Sequence, residues 1–500
     1  RIGQWYQHFM IDEFQDTSRY QWMNLLPFIE NNIAEYDSNQ NPCSVNNLII
    51  GDVKQAIYRF RGGDWKLLHE EVKQKFKNCT QEISLKKNYR SSSTIVQFNN
   101  IFFQFLSEKF QKLDFSENNS SEKNGKAEKI KNPLESIYSD CKQEVNNENQ
   151  GYVSIELIPT EKDDSDFYIN QTLEKVKATI QKLLDAGASY GDIVILTRKN
   201  ENGKKVIEYL LNSQGFEQLP IATDDVLTIG ESCSVLAIIN VLNYLIQPCD
   251  YFKAKAVWHI ASALGNNDNF SFSELENNPF ANKIVEKTSQ WTRMPLIDVV
   301  IDIINEFKLN TVANENIYLQ QFIWLVVEFT SQQPSHIQSF LNFWNDRGRG
   351  VKVPPPASSD ALRVMTIHKS KGLEFKHVII PFLDGEIKKN NEQAWIWGLE
   401  PYPEMPFLVS LSSKASFSSY AKSYYQEMYN YLIDSVNLVY VAFTRAKTTL
   451  HVFTKETEKS EKTVKIQIER WINDFIEDVH SNPNFFFNNE DNQCILEYGN

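Results

Sequence analysis

Phe9-Met10-Ile11-Asp12-Glu13, an apolar run that ends on two adjacent carboxylates, restricts this chain more than any other stretch. Three apolar residues followed by acids read as the end of a buried strand. In open α/β folds, ligands sit beyond the carboxyl ends of the strands, so both acids fall where chemistry is done. Neighbouring strand residues point to opposite sides, which lets the two carboxylates take different tasks. One can hold a hard cation such as magnesium through oxygen. The other can orient or deprotonate an attacking water. Phe14-Gln15-Asp16-Thr17-Ser18 follows directly.

The bulk properties exclude several classes. Five hundred residues allow two to four domains. A content of 42% hydrophobic and 13% aromatic residues is that of a soluble, folded protein. No stretch has the length and apolarity of a membrane span, and no signal peptide opens the chain. The cysteines (Cys43, Cys79, Cys141, Cys233, Cys249, Cys494) are scattered, fitting neither a zinc site nor a disulfide framework. Free thiols in a reducing cytoplasm are expected. A net charge of −13 argues against indiscriminate coating of nucleic acid, while leaving room for a local basic groove.

The string from Phe9 to Ser18 resembles the second motif of superfamily-one DNA helicases of the UvrD/Rep and RecB/AddA type. A second apolar strand, Leu48-Ile49-Ile50, ends in Gly51-Asp52-Val53-Lys54-Gln55-Ala56-Ile57-Tyr58-Arg59-Phe60-Arg61-Gly62-Gly63, which resembles the third motif. Leu85-Lys86-Lys87-Asn88-Tyr89-Arg90-Ser91-Ser92 is similar to the fourth. Leu362 to Ile367 reads as a strand breaking into His368-Lys369-Ser370-Lys371-Gly372-Leu373-Glu374-Phe375, the lysine-containing fifth motif favoured by RecB/AddA-like members. Leu438 to Lys447 contains Thr444-Arg445-Ala446, the end of the sixth.

The resemblance implies roles. Asp12 would hold magnesium and Glu13 would act on the attacking water. Gln55 senses the γ-phosphate of ATP, which Arg90 also reaches, while Tyr89 stacks on adenine and Glu374 accepts a hydrogen bond from the ribose. Arg445 is the arginine finger, a planar permanent charge that stabilises the transferring phosphoryl group. Tyr58 and Phe60 face single-stranded DNA, where a ring stacks on any base without reading its identity. Thr366 and His368 touch the DNA backbone.

The expected fold class is α/β: two RecA-like parallel-sheet domains of the P-loop NTPase type, the first truncated, with a helical accessory insertion in the second. Residues 1–105 read as the later part of the first motor domain and 106–150 as a mobile polar insertion. Residues 151–250 and 358–457 read as the two parts of the second motor domain. Between them, 251–357 read as a helical accessory domain, with a Pro354-Pro355-Pro356 linker at its end. Residues 458–500 read as a polar tail without a motif. The chain opens at Arg1, mid-pattern, and reads as an excised piece whose phosphate loop lies upstream. No Gly-x-x-x-x-Gly-Lys-Ser/Thr string occurs from Arg1 to Asn500, so the chain alone is expected not to hydrolyse ATP.

Taken together, these features predict an ATP-dependent helicase of DNA repair and recombination acting on single-stranded and duplex-end DNA, with a nuclease or scaffold protein as its partner. The competing expectation is a non-catalytic scaffold that keeps the helicase fold and grips DNA without hydrolysis.

Overall fold

The computed structural model describes residues 6, 8–34, 47–77, 79–111, 113, 132–160, 166–216, 219–223, 228–265, 272–312, 315–333, 336–353, 360–385, 393–396, 404–418, 420–457, 467–490 and 493–499. Most of the expected polar insertion before residue 132, the Pro354–Pro356 linker and the first residues of the chain lie outside this set. The chain packs as two compact units, one made of residues 1–174 and 367–500 and the other of 175–366.

In the first unit the central strand is Ala446–Lys455, parallel to Tyr152–Ile158 on one side and to Phe375–Ile380 on the other. Its Leu450, Val452 and Phe453 are all fully buried. That is the continuous apolar signature of a strand covered on both faces. The helices Ser93–Gln111, Ala421–Phe443 and Ile468–Val479 supply an aromatic core to this unit. Phe102 meets Phe475 with ring centroids 4.9 Å apart and Phe443 at 5.2 Å.

Three expectations are corrected here. First, residues 467–499 are no polar tail. Ile468, Trp471, Ile472, Phe475, Ile476 and Val479 are buried at helical spacing. The hairpin Phe485–Glu490/Gln493–Tyr498 then adds antiparallel to Tyr152–Ile158. The apolar stripe was hidden among charges on the opposite face, the ordinary pattern of a packed amphipathic helix. Second, that hairpin makes the sheet mixed, where a parallel sheet was expected. Third, the segment expected to be mobile from 106 to 150 is partly built into the core. The helix Ser93–Gln111 runs through the expected boundary and buries Leu106 and Phe110. Pro133–Tyr138 is a short helix that buries Leu134, Ile137 and Tyr138, and Glu144–Val145 pairs in parallel with Lys87–Asn88. Three well-placed apolar residues suffice to anchor a stretch whose average composition is polar.

The second unit carries a three-stranded parallel ladder, Ile193–Thr197, Leu362–Thr366 and Ile221–Thr223, with Leu362–Thr366 in the middle. The rest of it is helical, as expected: Cys233–Ile246, Asp250–Ala263, Pro279–Trp291, Leu296–Glu306, Asn316–Gln332 and Ile337–Asp346. Its aromatics are core, with Trp291, Phe322 and Phe340 all fully buried. The indole of Trp291 donates to Asp302 at 2.7 Å.

Candidate active site

The acid pair leaves a very short strand. Met10–Ile11 pairs in parallel with Leu48–Ile49, and Phe14 N–H donates to Ile50 O at 3.0 Å to close the pair. Glu13 takes φ 51°, in the left-handed region, a conformation that a non-glycine residue adopts at some cost. Its N–H donates to Asp12 Oδ1 at 2.8 Å, which ties the two acids together. Both side chains are exposed. Phe14, fully buried, then turns the chain into the small core formed with Trp22, Ile29, Leu67, Val72 and Phe76.

Gln15 joins the two strand ends. Its amide nitrogen donates to Glu13 Oε2 at 2.5 Å, and its amide oxygen accepts from Asp52 N–H at 3.0 Å. A side chain at Gly51 would put a Cβ 2.6 Å from that oxygen, so the bridge requires glycine there. Gln55 follows on the turn Val53–Gln55, its amide donating to Asp52 Oδ2 at 3.2 Å.

Lys371 is the residue that draws these parts together. Its ammonium is nearly buried and lies 2.5 Å from Asp16 Oδ2, 2.8 Å from Gln55 O and 3.4 Å from Glu13 Oε2. Burial pushes the Asp16 carboxyl above its ordinary value, against the pull of Lys371. The sequence placed Lys371 inside a motif string but offered no sign of its partners. Gln15 and Asp16 were missed in the same way.

A second cluster is ionic. Arg90 Nε donates to Glu374 Oε2 at 3.0 Å, and Lys447 Nζ to Glu374 Oε1 at 2.9 Å. The hydrogen bond from Lys447, then its charge and that of Arg90, hold the Glu374 carboxyl below the usual range. Tyr89 beside it is 72% exposed, a ring free to take a planar partner. Arg445 is placed differently from a surface finger: it is 1% exposed. Nε donates to Val441 O at 2.9 Å, Nη1 to Leu373 O at 2.9 Å and Nη2 to Thr444 Oγ1 at 3.2 Å. Burial first, then the charge of Arg90, pushes its pKa down to about 10, so it stays charged at neutral pH; Glu13 and Glu374 pull the other way.

The third cluster is aromatic. Phe60 is 69% exposed and meets the His368 ring edge-on at 5.4 Å. Tyr58 lies 6.1 Å from Phe60 and donates its hydroxyl to His368 O at 2.7 Å. The Arg61 guanidinium sits 5.3 Å from the Tyr58 ring and 5.4 Å from that of Phe60. Aromatic faces beside a cation suit a polyanion carrying bases. Thr366 ends the strand Leu362–Thr366 in the other unit, half-buried and paired with Thr197.

Among the described residues no three His, Cys, Asp or Glu side chains cluster to hold a metal unaided. Nor, among them, is any helix long and apolar enough to cross a membrane. Cys79, Cys141, Cys233, Cys249 and Cys494 are free thiols.

Comparison with known proteins agrees with this geometry. Residues 1–77 match the family model of the UvrD/REP helicase N-terminal domain, and residues 269–457 that of the UvrD-like helicase C-terminal domain. The A-type (AddA) component of the ATP-dependent helicase/nuclease of Lactococcus lactis subsp. lactis (strain IL1403) is 26% identical, over 92% of this chain and 41% of that protein. The protein of the same description from Clostridium botulinum (strain Alaska E43 / Type E3) is 25% identical, over 96% of this chain and 42% of its own length. The exonuclease/helicase protein RexA of Lactococcus lactis subsp. cremoris (strain MG1363) is 26% identical, over 91% and 41%. The chain thus spans about two-fifths of the length of the curated relatives it matches.

Proposed function

We propose that this chain, which belongs to the UvrD/Rep superfamily-one helicases and is homologous to AddA helicase/nuclease proteins, works as the greater part of an ATP-driven motor on single-stranded DNA. The motor unwinds duplex ends in repair and recombination, alongside a nuclease or scaffold partner. The observation that carries the reading is the position of Lys371. It brings the fifth-motif loop onto the acid string and onto Gln55, so that residues from distant parts of the chain surround one place.

Glu13 orients and deprotonates the attacking water, its carboxylate steered by the Gln15 amide. Gln55 and Arg90 contact the γ-phosphate, Tyr89 stacks on adenine, and Glu374 accepts from the ribose. Asp12 fits magnesium, which is ordinarily held by one or two carboxylates together with substrate phosphates and waters. When bound, the ion neutralises charge on the phosphates. Arg445 is the finger, and its present bonds to backbone oxygens mean that it must exchange them for phosphate during the cycle. Tyr58, Phe60 and His368 form the DNA platform, with Thr366 contributing a hydroxyl to the phosphate backbone. Two RecA-like domains, at the boundaries given by the sequence, frame these parts. Residues 1–500 contain no phosphate loop, so this stretch alone is proposed not to hydrolyse ATP.

Glu13→Gln in the natural protein tests the reading, because the amide keeps the shape and loses the base. Nucleotide binding should persist while DNA-stimulated hydrolysis falls by about 10²–10⁴-fold. Near-normal turnover would sink the assignment. A wild-type protein that binds single-stranded DNA but hydrolyses nothing would leave the scaffold reading in its place.

A further inference from the structure

We infer that Asn437 is a positioning residue that fixes the Gln55 turn and couples it to the helix leading to Arg445; this rests on reading Gln55 as a phosphate contact. Asn437 is fully buried on the helix Ala421–Phe443. Its amide nitrogen donates to Val53 O at 2.9 Å and to Ala56 O at 3.0 Å. Its amide oxygen accepts from the Tyr138 hydroxyl at 2.8 Å. The two carbonyls it holds flank Gln55 in the chain. They belong to a turn that is otherwise closed only by Gln55 N–H to Asp52 O at 2.8 Å and Ala56 N–H to Val53 O at 3.1 Å.

A single 3₁₀ turn at the end of a two-residue strand has little stiffness of its own. Both amide hydrogens of Asn437 are spent on it, so the side chain reads as a clamp on that turn. The same helix grips the chain again just beyond. Arg59 donates to Asp434 Oδ2 at 2.6 Å and to Glu427 Oε1 at 2.5 Å. Burial opposes the charge of Arg59, but these two carboxylates outweigh it and raise its pKa. Asn437, Asp434 and Glu427 therefore hold both sides of Gln55 from one helix. Arg445 follows two turns after Asn437, just past the end of that helix. Tyr138 completes the device. It is buried, comes from the short helix Pro133–Tyr138, and orients the amide so that its hydrogens face the two carbonyls.

An alternative role, mere satisfaction of two buried carbonyls, makes a different prediction. Asn437→Leu in the natural protein is compared with wild type by hydrogen exchange and by steady-state hydrolysis with single-stranded DNA. Exchange across Val53–Ile57 should quicken by about tenfold or more while Tyr152–Ile158 stays protected. The kcat for ATP should fall by about tenfold with KM within about twofold, and the fall should vanish in a Gln55→Ala background. Unchanged exchange, or an equal loss of kcat in both backgrounds, overturns the inference. Should Asn437→Leu not fold, Tyr138→Phe replaces it in the same cycle, with an expected fall of about twofold to fivefold. A wild-type protein without ATP hydrolysis would refute the motor reading, and the exchange measurement would still decide on Asn437.

Discussion

Two sheets in the same compact unit are held in unlike ways. The ladder around Ala446–Lys455 is covered on both faces, and Leu450, Val452 and Phe453 are inaccessible to solvent. The strands that carry the acid pair are two residues each, and one side is bare: Met10 is 77% exposed, Leu48 46% and Ile50 44%. Burial of apolar area fixes the first sheet. The second depends on Phe14 and its small core, and then on polar ties reaching in from distant residues: Lys371 to Asp16, Asn437 to Val53 and Ala56, Arg59 to Asp434. Apolar packing is non-directional and tolerant of small shifts. Hydrogen bonds set angles and distances, which suits groups that must meet phosphate within a few tenths of an ångström. In this molecule, folding stability and catalytic geometry are assigned to different sheets.

That contrast can be broken in four places. The largest loss of stability should come from Phe475→Ala, which empties a fully buried ring site in the aromatic core. Urea unfolding should give a cost of about 3–5 kcal/mol. A cost under about 1 kcal/mol would mean that the C-terminal helix does not support the large sheet.

Lys371→Met should cost less in folding and more in chemistry. It leaves Asp16 without its ammonium, and the loss should approach about 3 kcal/mol, at the low end for a broken buried ion pair because Asp16 is partly solvated. Hydrolysis in the natural protein should fall by about tenfold or more beyond what the stability change explains. Equal losses of folding and activity would erase the distinction drawn between the two sheets.

Phe60→Ala should leave thermal unfolding unchanged, since the ring is 69% exposed. Binding of fluorescent single-stranded DNA should weaken by roughly 1–3 kcal/mol, alike for different base sequences. If unfolding shifts while affinity holds, Phe60 is packing and Tyr58 carries the contact. The smallest effect is expected at Met10→Ala, within about 0.5 kcal/mol by urea unfolding, because its side chain already stands in solvent. A larger cost would mean that the bare face is covered in solution.

Much of the fold was legible in the letters alone. The strands Tyr152–Ile158, Ile193–Thr197 and Phe375–Ile380 are runs of apolar residues, and such runs announce themselves. The helical character of the second unit was equally open to view. The helix Ile468–Val479 was not, because Glu469, Arg470, Asn473, Asp474, Glu477 and Asp478 dilute its average polarity while its buried face keeps strict helical spacing. Pro133–Tyr138 escaped for a related reason: it is one turn and a half, too short for a period to show.

For the site, the sequence determined which chemical groups exist and in what order: acids at a strand end, an amide after a glycine, an arginine after a tyrosine, an arginine near the end of a long helix. Those signals are local, carried by spacing within about ten residues of one another. The tertiary structure alone decided who meets whom. Lys371 reaches Asp16 across 355 positions of chain, and Asn437 reaches Val53 across 384. No periodicity encodes such pairings, because they arise when separate elements close on a shared core and bring their polar side chains within hydrogen-bonding distance. The same holds for Arg445. Its charge and place in the motif could be read from the letters, whereas its burial against Val441 and Leu373 follows from packing between a helix end and a neighbouring loop.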